Sequence, residues 1–247
     1  MHGWEFWVAG ILGAVLTGLG KGGMPVAGAL TVPLMSLAMP APLAAGLMLP
    51  VYIVSDWFGL WAYRKEFDRR VLWIACLGMS FGVVVGYFTF AVVPGRWING
   101  LIGVVGAAFA LNLLIKRNVV SDPKPARVLP GLFWTAIAGF TSFISHTGAP
   151  PYQVWTLPLG LRKAVFAGTS TIAFSYVNML KLPFYWQLGQ VNTGSLKVAA
   201  MLAPVAVLAV FGGVKAVKIL PEKLFFQLVV WTLLAISVKL IWGVFSA

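Results

Sequence analysis

The sequence predicts an all-α integral membrane protein with two inverted-topology repeats, each a membrane-penetrating broken helical hairpin followed by three transmembrane helices. Hydrophobic residues make up 60% of the chain and charged residues only 10%, whereas soluble domains carry about 25% charged residues. Apolar segments alternate with short basic loops, the pattern of membrane spans and their orientation signals. Polar breaks also interrupt two shorter apolar segments at corresponding places in the two halves, which is typical of transporters.

The first predicted hairpin joins the apolar segments 4–19 and 25–39, which are 16 and 15 residues long. At 1.5 Å per residue each helix would be roughly 24 Å long, shorter than the hydrocarbon core of a bilayer. We therefore expect the turn between them to lie inside the membrane. Segments 128–145 and 150–160 repeat the arrangement, although residues 128–147 are also numerous enough for that arm to cross fully.

The other apolar segments are long enough to cross the membrane, because each has about 20 residues. They are 42–63, 71–93, 97–115, 163–186, 195–214 and 223–246. Gly78, Gly82 and Gly86 recur at four-residue spacing in one of them, which predicts close helix packing. The chain then divides into a first repeat (1–116), a cytoplasmic linker (117–127) and a second repeat (128–247).

A weak internal repeat supports this division. Aligned residues are offset by 122 to 127 positions, as in Pro25 with Pro150, Pro33 with Pro158, Asp56 with Asn178 and Tyr63 with Tyr185. The loop 64–70 is strongly basic, whereas its counterpart 187–194 carries no charge. Each half contains an odd number of crossings, so the second half should be inverted relative to the first.

The distribution of basic residues predicts the orientation. If both hairpins return to the side they enter, thirteen of the 18 lysines and arginines share one side, which is then cytoplasmic. If each hairpin were instead one kinked span, some of these basic residues would move to the other side, and the difference in charge between the two sides would be smaller. We place Arg96, Lys181 and Lys197 at or near the opposite face. Because the basic residues form no continuous stripe, the net charge of +12 does not indicate nucleic-acid binding.

The two breaks carry the candidate binding site. The first runs Gly18-Leu19-Gly20-Lys21-Gly22-Gly23-Met24-Pro25 and the second runs Ser145-His146-Thr147-Gly148-Ala149-Pro150. Each should place a helix N-terminus inside the membrane, where backbone N–H groups favour an anion. The predicted substrate-binding residues are Lys21, Gly22, Gly23, Pro25, His146, Thr147, Gly148, Thr169, Ser170 and Asn178.

Two of these predictions have alternatives. A lysine at membrane depth indicates a functional site, but Lys21 would also serve as a packing partner that neutralises Asp56. His146 would bind substrate or carry a coupling proton, or it would be a hydrogen-bonded residue at a helix end. Asp56 is the second candidate for the coupling proton.

These features resemble the sulfite exporter TauE/SafE family of bacterial and archaeal membrane proteins. The resemblance covers essentially the whole chain and is carried by the glycine-rich break with Pro25 and Pro33, its echo ending in Gly148 and Pro150, and Arg162-Lys163-Ala164 leading to Gly168-Thr169-Ser170. It implies a multi-pass protein of the cytoplasmic membrane that moves sulfite, thiosulfate, sulfonates or other organic anions. Lys21 replaces a common glycine of the family, and Ser145-His146-Thr147 replaces a glycine-rich stretch, so the resemblance does not imply sulfite itself.

We therefore expect a secondary transporter, an exporter by resemblance, of a small sulfur-containing anion. The predicted partners are that anion and the lipid bilayer, with protons as a possible coupling ion and a homo-oligomer left open. A cation or other organic-anion permease and a non-transporting scaffold remain alternatives. We expect no enzyme activity, cofactor or metal, since the chain has only two histidines, shows no metal-ligand spacing and lacks a phosphate-binding loop.

Overall fold

The computed structural model describes residues 3–90, 95–115 and 123–245, and within these ranges the chain is helical with no β-strand. The helices are α1 (Trp4–Lys21), α2 (Pro25–Ala29), α3 (Thr31–Met35), α4 (Ala41–Tyr63), α5 (Arg69–Thr89), α6 (Gly95–Ile115), α7 (Val128–Ser145), α8 (Ala149–Thr156), α9 (Lys163–Gln187), α10 (Thr193–Ile219) and α11 (Glu222–Phe245). Most of the predicted linker 117–127 and the end of the predicted span 71–93 lie outside the described residues.

Five of these helices are long and apolar enough to cross a membrane, which makes the chain a multi-pass membrane protein. They are Pro42–Tyr63, Arg69–Thr89, Val128–Ser145, Thr193–Ile219 and Glu222–Phe245. Four correspond to predicted spans, and α7 corresponds to the hairpin arm that the sequence left able to cross. Helix α9 is also long, at 25 residues, but its threonines, serines, asparagine and lysine lower its hydropathy. Large apolar side chains such as Trp73 and Phe88 are exposed on the outer surface, as lipid contact requires.

The first hairpin differs from its prediction. Segment 25–39 forms two short helices, α2 and α3, which meet at Leu30, so the prediction of one continuous arm is wrong. The physical reason is Pro33, which has no N–H group to donate to the carbonyl of residue 29. The turn before α2 passes through Gly23 at φ +110°, a conformation that favours glycine.

The second hairpin turns at His146, which caps α7 in the left-handed conformation (φ 55°, ψ 21°). Helix α8 begins at Ala149 and continues into a 3₁₀ turn at Leu157–Leu159. The Lys124 N–H donates to the Pro158 carbonyl at 3.0 Å. The chain before α7 and the chain after α8 therefore lie at the same end of the molecule.

The predicted cytoplasmic loops meet at that end. Arg70 donates from Nε to the Ala126 carbonyl at 3.2 Å, and the Asp68 N–H donates to Thr169 Oγ1 at 2.9 Å. Lys163 donates from its backbone N–H to Glu222 at 3.0 Å. These bonds bring together the loops that begin α5, α7, α9 and α11, which are the loops in which the basic residues are concentrated.

Long-range packing pairs helices from opposite halves of the chain. Helix α1 packs along α10, and α5 packs along α7, while α4 lies against α9 and α10, and α6 lies against α11. Glycines permit the close approach, as the spacing of Gly78, Gly82 and Gly86 predicts. A Cβ at Gly82 would overlap the Ala136 carbonyl of α7, and one at Gly18 would overlap the Ala206 carbonyl of α10.

Replacing Gly82 with alanine should destabilise the protein, because the added methyl group forces α5 away from α7. Overpacking of this kind costs about 1–3 kcal/mol, and we expect a lower melting temperature of the purified protein in detergent. The matched control is Gly212→Ala in α10, where a Cβ meets no atom within 4 Å. The packing account would be contradicted if the two variants melted alike.

Candidate functional site

A cavity with polar and apolar walls lies where the two helical breaks meet α4 and α9. The space between its atoms, including the part open to solvent, is about 420 Å³. The first residue of α8, Ala149, and the first residue of α2, Pro25, both line it. The other lining residues are Gly20, Lys21, Gly28, Ala29, Tyr52, Ser142, His146, Ser170, Thr171, Phe174 and Asn178.

On one side of the cavity, Lys21 forms a buried ion pair with Asp56. Lys21 Nζ lies 2.6 Å from Asp56 Oδ1, and the two side chains are only 6% and 3% exposed. Asp56 also accepts hydrogen bonds from Ser175 Oγ at 2.6 Å and from Asn178 Nδ2 at 3.0 Å. The carboxylate is thus held by one cation and two neutral donors, which is what stabilises a buried charge.

A second buried lysine lies near the other side of the cavity. Lys181 of α9 is 0% exposed. Its Nζ lies 3.1 Å from the Ser142 carbonyl oxygen, 3.1 Å from Ser142 Oγ and 3.1 Å from His146 Nδ1. Ser142 and His146 themselves line the cavity, so Lys181 is separated from it by one layer of side chains.

The contacts of His146 link its protonation state to that of Lys181. In the ammonium form, which has donors only, Lys181 donates to His146 Nδ1, and this nitrogen then carries a lone pair. The proton of the neutral ring then lies on Nε2, which is 3.2 Å from the Ala45 carbonyl oxygen. The imidazole ring stacks on Tyr52 with a centroid separation of 4.8 Å. We assign the tautomer from these partners.

The structure brings half of the predicted binding residues to the cavity wall. Lys21, Pro25, His146, Ser170 and Asn178 line it. The coupling candidate Asp56 lies directly behind Lys21 and Asn178. The Lys21–Asp56 ion pair that the sequence allowed as an alternative is therefore present, and Lys21 faces the cavity as well.

The other predicted residues lie outside the wall and shape the two turns. Gly22 accepts a hydrogen bond from Tyr63 Oη at 2.6 Å. A Cβ at Gly23 would collide with the same tyrosine, and one at Gly148 would overlap the Ala138 carbonyl oxygen. Thr147 Oγ1 pairs with Ser145 Oγ at 2.8 Å.

Thr169 faces a different neighbour. Its Oγ1 accepts from the backbone N–H of Asp68 in the basic loop before α5. It therefore joins α9 to that loop at the end of the molecule and does not face the cavity.

Sequence reasoning missed Lys181. Its placement at or near the opposite face stays a prediction, but the sequence did not indicate that its side chain is fully buried within the protein. One signal was available: Lys181 lies three residues after Asn178, which puts both side chains on one face of a helix. Within the described ranges, no group of three metal-binding side chains comes together.

A match to a family model extends over all the helices that form this site. The model of the sulfite exporter TauE/SafE family covers residues 6–240, nearly the full chain, and includes both breaks and both buried lysines. The chain belongs to the TauE/SafE family. Neither the curated proteins nor the solved structures give a match to it.

Membership of this family relates the polar cavity to transport. TauE/SafE is a family of membrane transporters of sulfur anions such as sulfite. A polar cavity bordered by buried cations within a helical membrane protein fits that role. An enzymatic role is not in keeping with the family.

Breaking the Lys21–Asp56 pair should destabilise the protein more than removing both charges. Lys21→Met leaves a buried carboxylate without its cation, at a cost of about 3–5 kcal/mol. The double variant Lys21→Met/Asp56→Asn removes both charges and should recover much of that loss. A double-mutant cycle on detergent-solubilised protein, measured by thermal unfolding, gives the coupling energy. Additive effects of the two substitutions would show that the pair is not energetically coupled.

Proposed function

We propose that this TauE/SafE protein is a secondary transporter that exports a small sulfur-containing anion such as sulfite, thiosulfate or an organosulfonate. The observation that carries the proposal is the buried polar cavity with Lys21 in its wall and Lys181 one layer behind it. Cations at membrane depth are costly unless they serve a pathway or a ligand. A cation permease fits less well, because the carboxylate of Asp56 is already neutralised by Lys21.

In this proposal the anion binds between the two breaks. Lys21, His146, Ser170 and Asn178 surround it, and Pro25 marks the start of the helix that points toward it. The remaining predicted residues support the site indirectly, since Gly22, Gly23, Thr147 and Gly148 form the two turns and Thr169 anchors α9. Polar irregular backbone at membrane depth is tolerated where protein or a water-filled cavity satisfies it.

We further propose that the two halves are inverted repeats in the cytoplasmic membrane of a bacterium or archaeon. Two observations support this. Basic loops that begin α5, α7, α9 and α11 gather at one end, which the positive-inside rule assigns to the cytoplasm. The packing is also reciprocal between the halves. Helix α1 of the first half packs on α10 of the second half, and its counterpart α7 in the second half packs on α5 of the first half.

Cysteine labelling tests this topology. Cys76 is the single native cysteine, so a Cys76→Ser background carries one new cysteine at a time at the exposed positions Lys65, Lys124 and Thr193. We expect positions 65 and 124 to be labelled from the cytoplasmic side and position 193 from the other side. Labelling of 65 and 193 from one side would contradict the inverted repeat.

His146 is the favoured carrier of a coupling proton, with Asp56 as the alternative. Asp56 is already engaged by three donors, Lys21, Ser175 and Asn178. His146 instead has an acceptor nitrogen occupied by Lys181, and this nitrogen becomes available to a proton whenever the lysine moves or loses its own proton. Uptake of a proton by His146 from one side of the membrane and its release to the other would link anion movement to a pH gradient.

Uptake into proteoliposomes tests transport and coupling together. Sulfite, thiosulfate, sulfoacetate and taurine are offered with and without a pH gradient, and we expect accumulation of at least one anion. His146→Gln should leave anion binding largely intact and abolish accumulation driven by the gradient. The matched control is Thr232→Ala, whose hydroxyl bonds only within α11, to the Leu228 carbonyl.

The outcomes separate the alternatives. Normal gradient-driven accumulation in His146→Gln would remove His146 from the mechanism, and its survival in Asp56→Asn as well would favour uniport or another coupling ion. Absence of uptake for every anion in the wild-type protein would favour a scaffold without transport activity.

A further inference from the structure

Lys181 is a buried cation that no carboxylate compensates in the described part of the chain. Its three hydrogen-bond partners are a carbonyl oxygen, a hydroxyl oxygen and a ring nitrogen. An ammonium has three N–H donors and no acceptor, and these three partners can accept from all of them. All three partners are neutral groups.

The other carboxylates of the described residues do not pair with Lys181. Five of the six in the sequence lie in described residues, and only Asp56 reaches the cavity region, where it is paired with Lys21. The remaining four are Glu5 at an exposed position of α1, Glu66 beside Arg162, Asp68 at the start of α5 and Glu222 on the Lys163 backbone. Lys181 thus has no ionic partner among them.

With Lys181 in its ammonium form, the charges around the cavity sum to one positive charge. Lys21 and Asp56 cancel, His146 is neutral when it accepts from Lys181, and the charge of Lys181 remains. An uncompensated charge at membrane depth is unfavourable. Since Ser142 and His146 stand between Lys181 and the cavity, an anion in the cavity would lie close enough to offset it.

We propose that the site selects anions of a single negative charge, with Lys181 supplying the compensating charge. This inference rests on the proposed function and narrows its substrates to monoanions, which disfavours the dianion thiosulfate. A monoanion such as hydrogensulfite or a simple sulfonate makes the loaded site neutral. A dianion of similar size leaves one excess negative charge in a medium where charge is costly.

Binding of two organosulfonates of similar size measures this selectivity. Ethanesulfonate carries one negative charge and sulfoacetate carries two. Calorimetric titrations of the purified protein measure both affinities, and both anions should bind if only the size of the anion determines affinity. We expect the wild-type protein to prefer ethanesulfonate. Lys181→Met should weaken ethanesulfonate binding by about 10- to 100-fold, the range for loss of a charge-assisted interaction.

A second experiment changes the charge of the site in the opposite direction, by making it more positive. Asp56→Asn leaves two uncompensated cations and should shift the affinity ratio toward sulfoacetate by at least about tenfold. The double variant Lys181→Met/Asp56→Asn returns the site to one positive charge, carried by Lys21, and should again prefer ethanesulfonate. Loss of packing alone would not restore this preference, so the double variant separates charge from structure.

Four results would count against the inference. Tighter binding of sulfoacetate by the wild-type protein would contradict the monoanion preference while leaving anion transport in place. Unchanged ethanesulfonate affinity in a folded Lys181→Met protein would exclude Lys181, and an unchanged affinity ratio in Asp56→Asn would exclude charge balance, whether or not Lys181→Met folds. Binding of neither probe would count against both the inference and the proposed function.

Discussion

Charge buried at membrane depth needs a partner, and this requirement organises the centre of the molecule. Lys21 and Lys181 are both nearly inaccessible, but they are stabilised in different ways. Lys21 has the carboxylate of Asp56, whereas Lys181 has three neutral acceptors. The difference places the compensated charge on the α1 side of the cavity and the uncompensated one on the α7 side.

The broken helices make these contacts possible. A continuous helix satisfies its own backbone groups and presents side chains only along its length. Here Gly23 and His146 adopt left-handed conformations, which end α1 and α7 and start α2 and α8 close to the cavity. The polar face of α9 supplies the remaining side chains, which is also why α9 is less apolar than its neighbours.

Much of this fold follows from local sequence properties. Apolar length predicts the spans, loop charge predicts one basic end, and the spacing of Gly78, Gly82 and Gly86 predicts close packing of α5, because each of these signals is a local pattern. The Lys21–Asp56 pair was one of two interpretations of Lys21, because the separation of two residues in sequence does not give the distance between them in space. The burial of Lys181 could not be predicted, because it depends on α7, a helix that is distant in sequence. The site residues themselves stay a prediction.

The packing of α1 on α10 has a consequence for the order of assembly. Helix α1 is synthesised before α10, yet α10 supplies the surface that fits Gly18 and Gly22. Helices of membrane proteins insert before they associate. The glycine face of α1 must therefore remain without its final neighbour until α10 has been made, whereas the amine of Lys21 can meet Asp56 as soon as α4 is present.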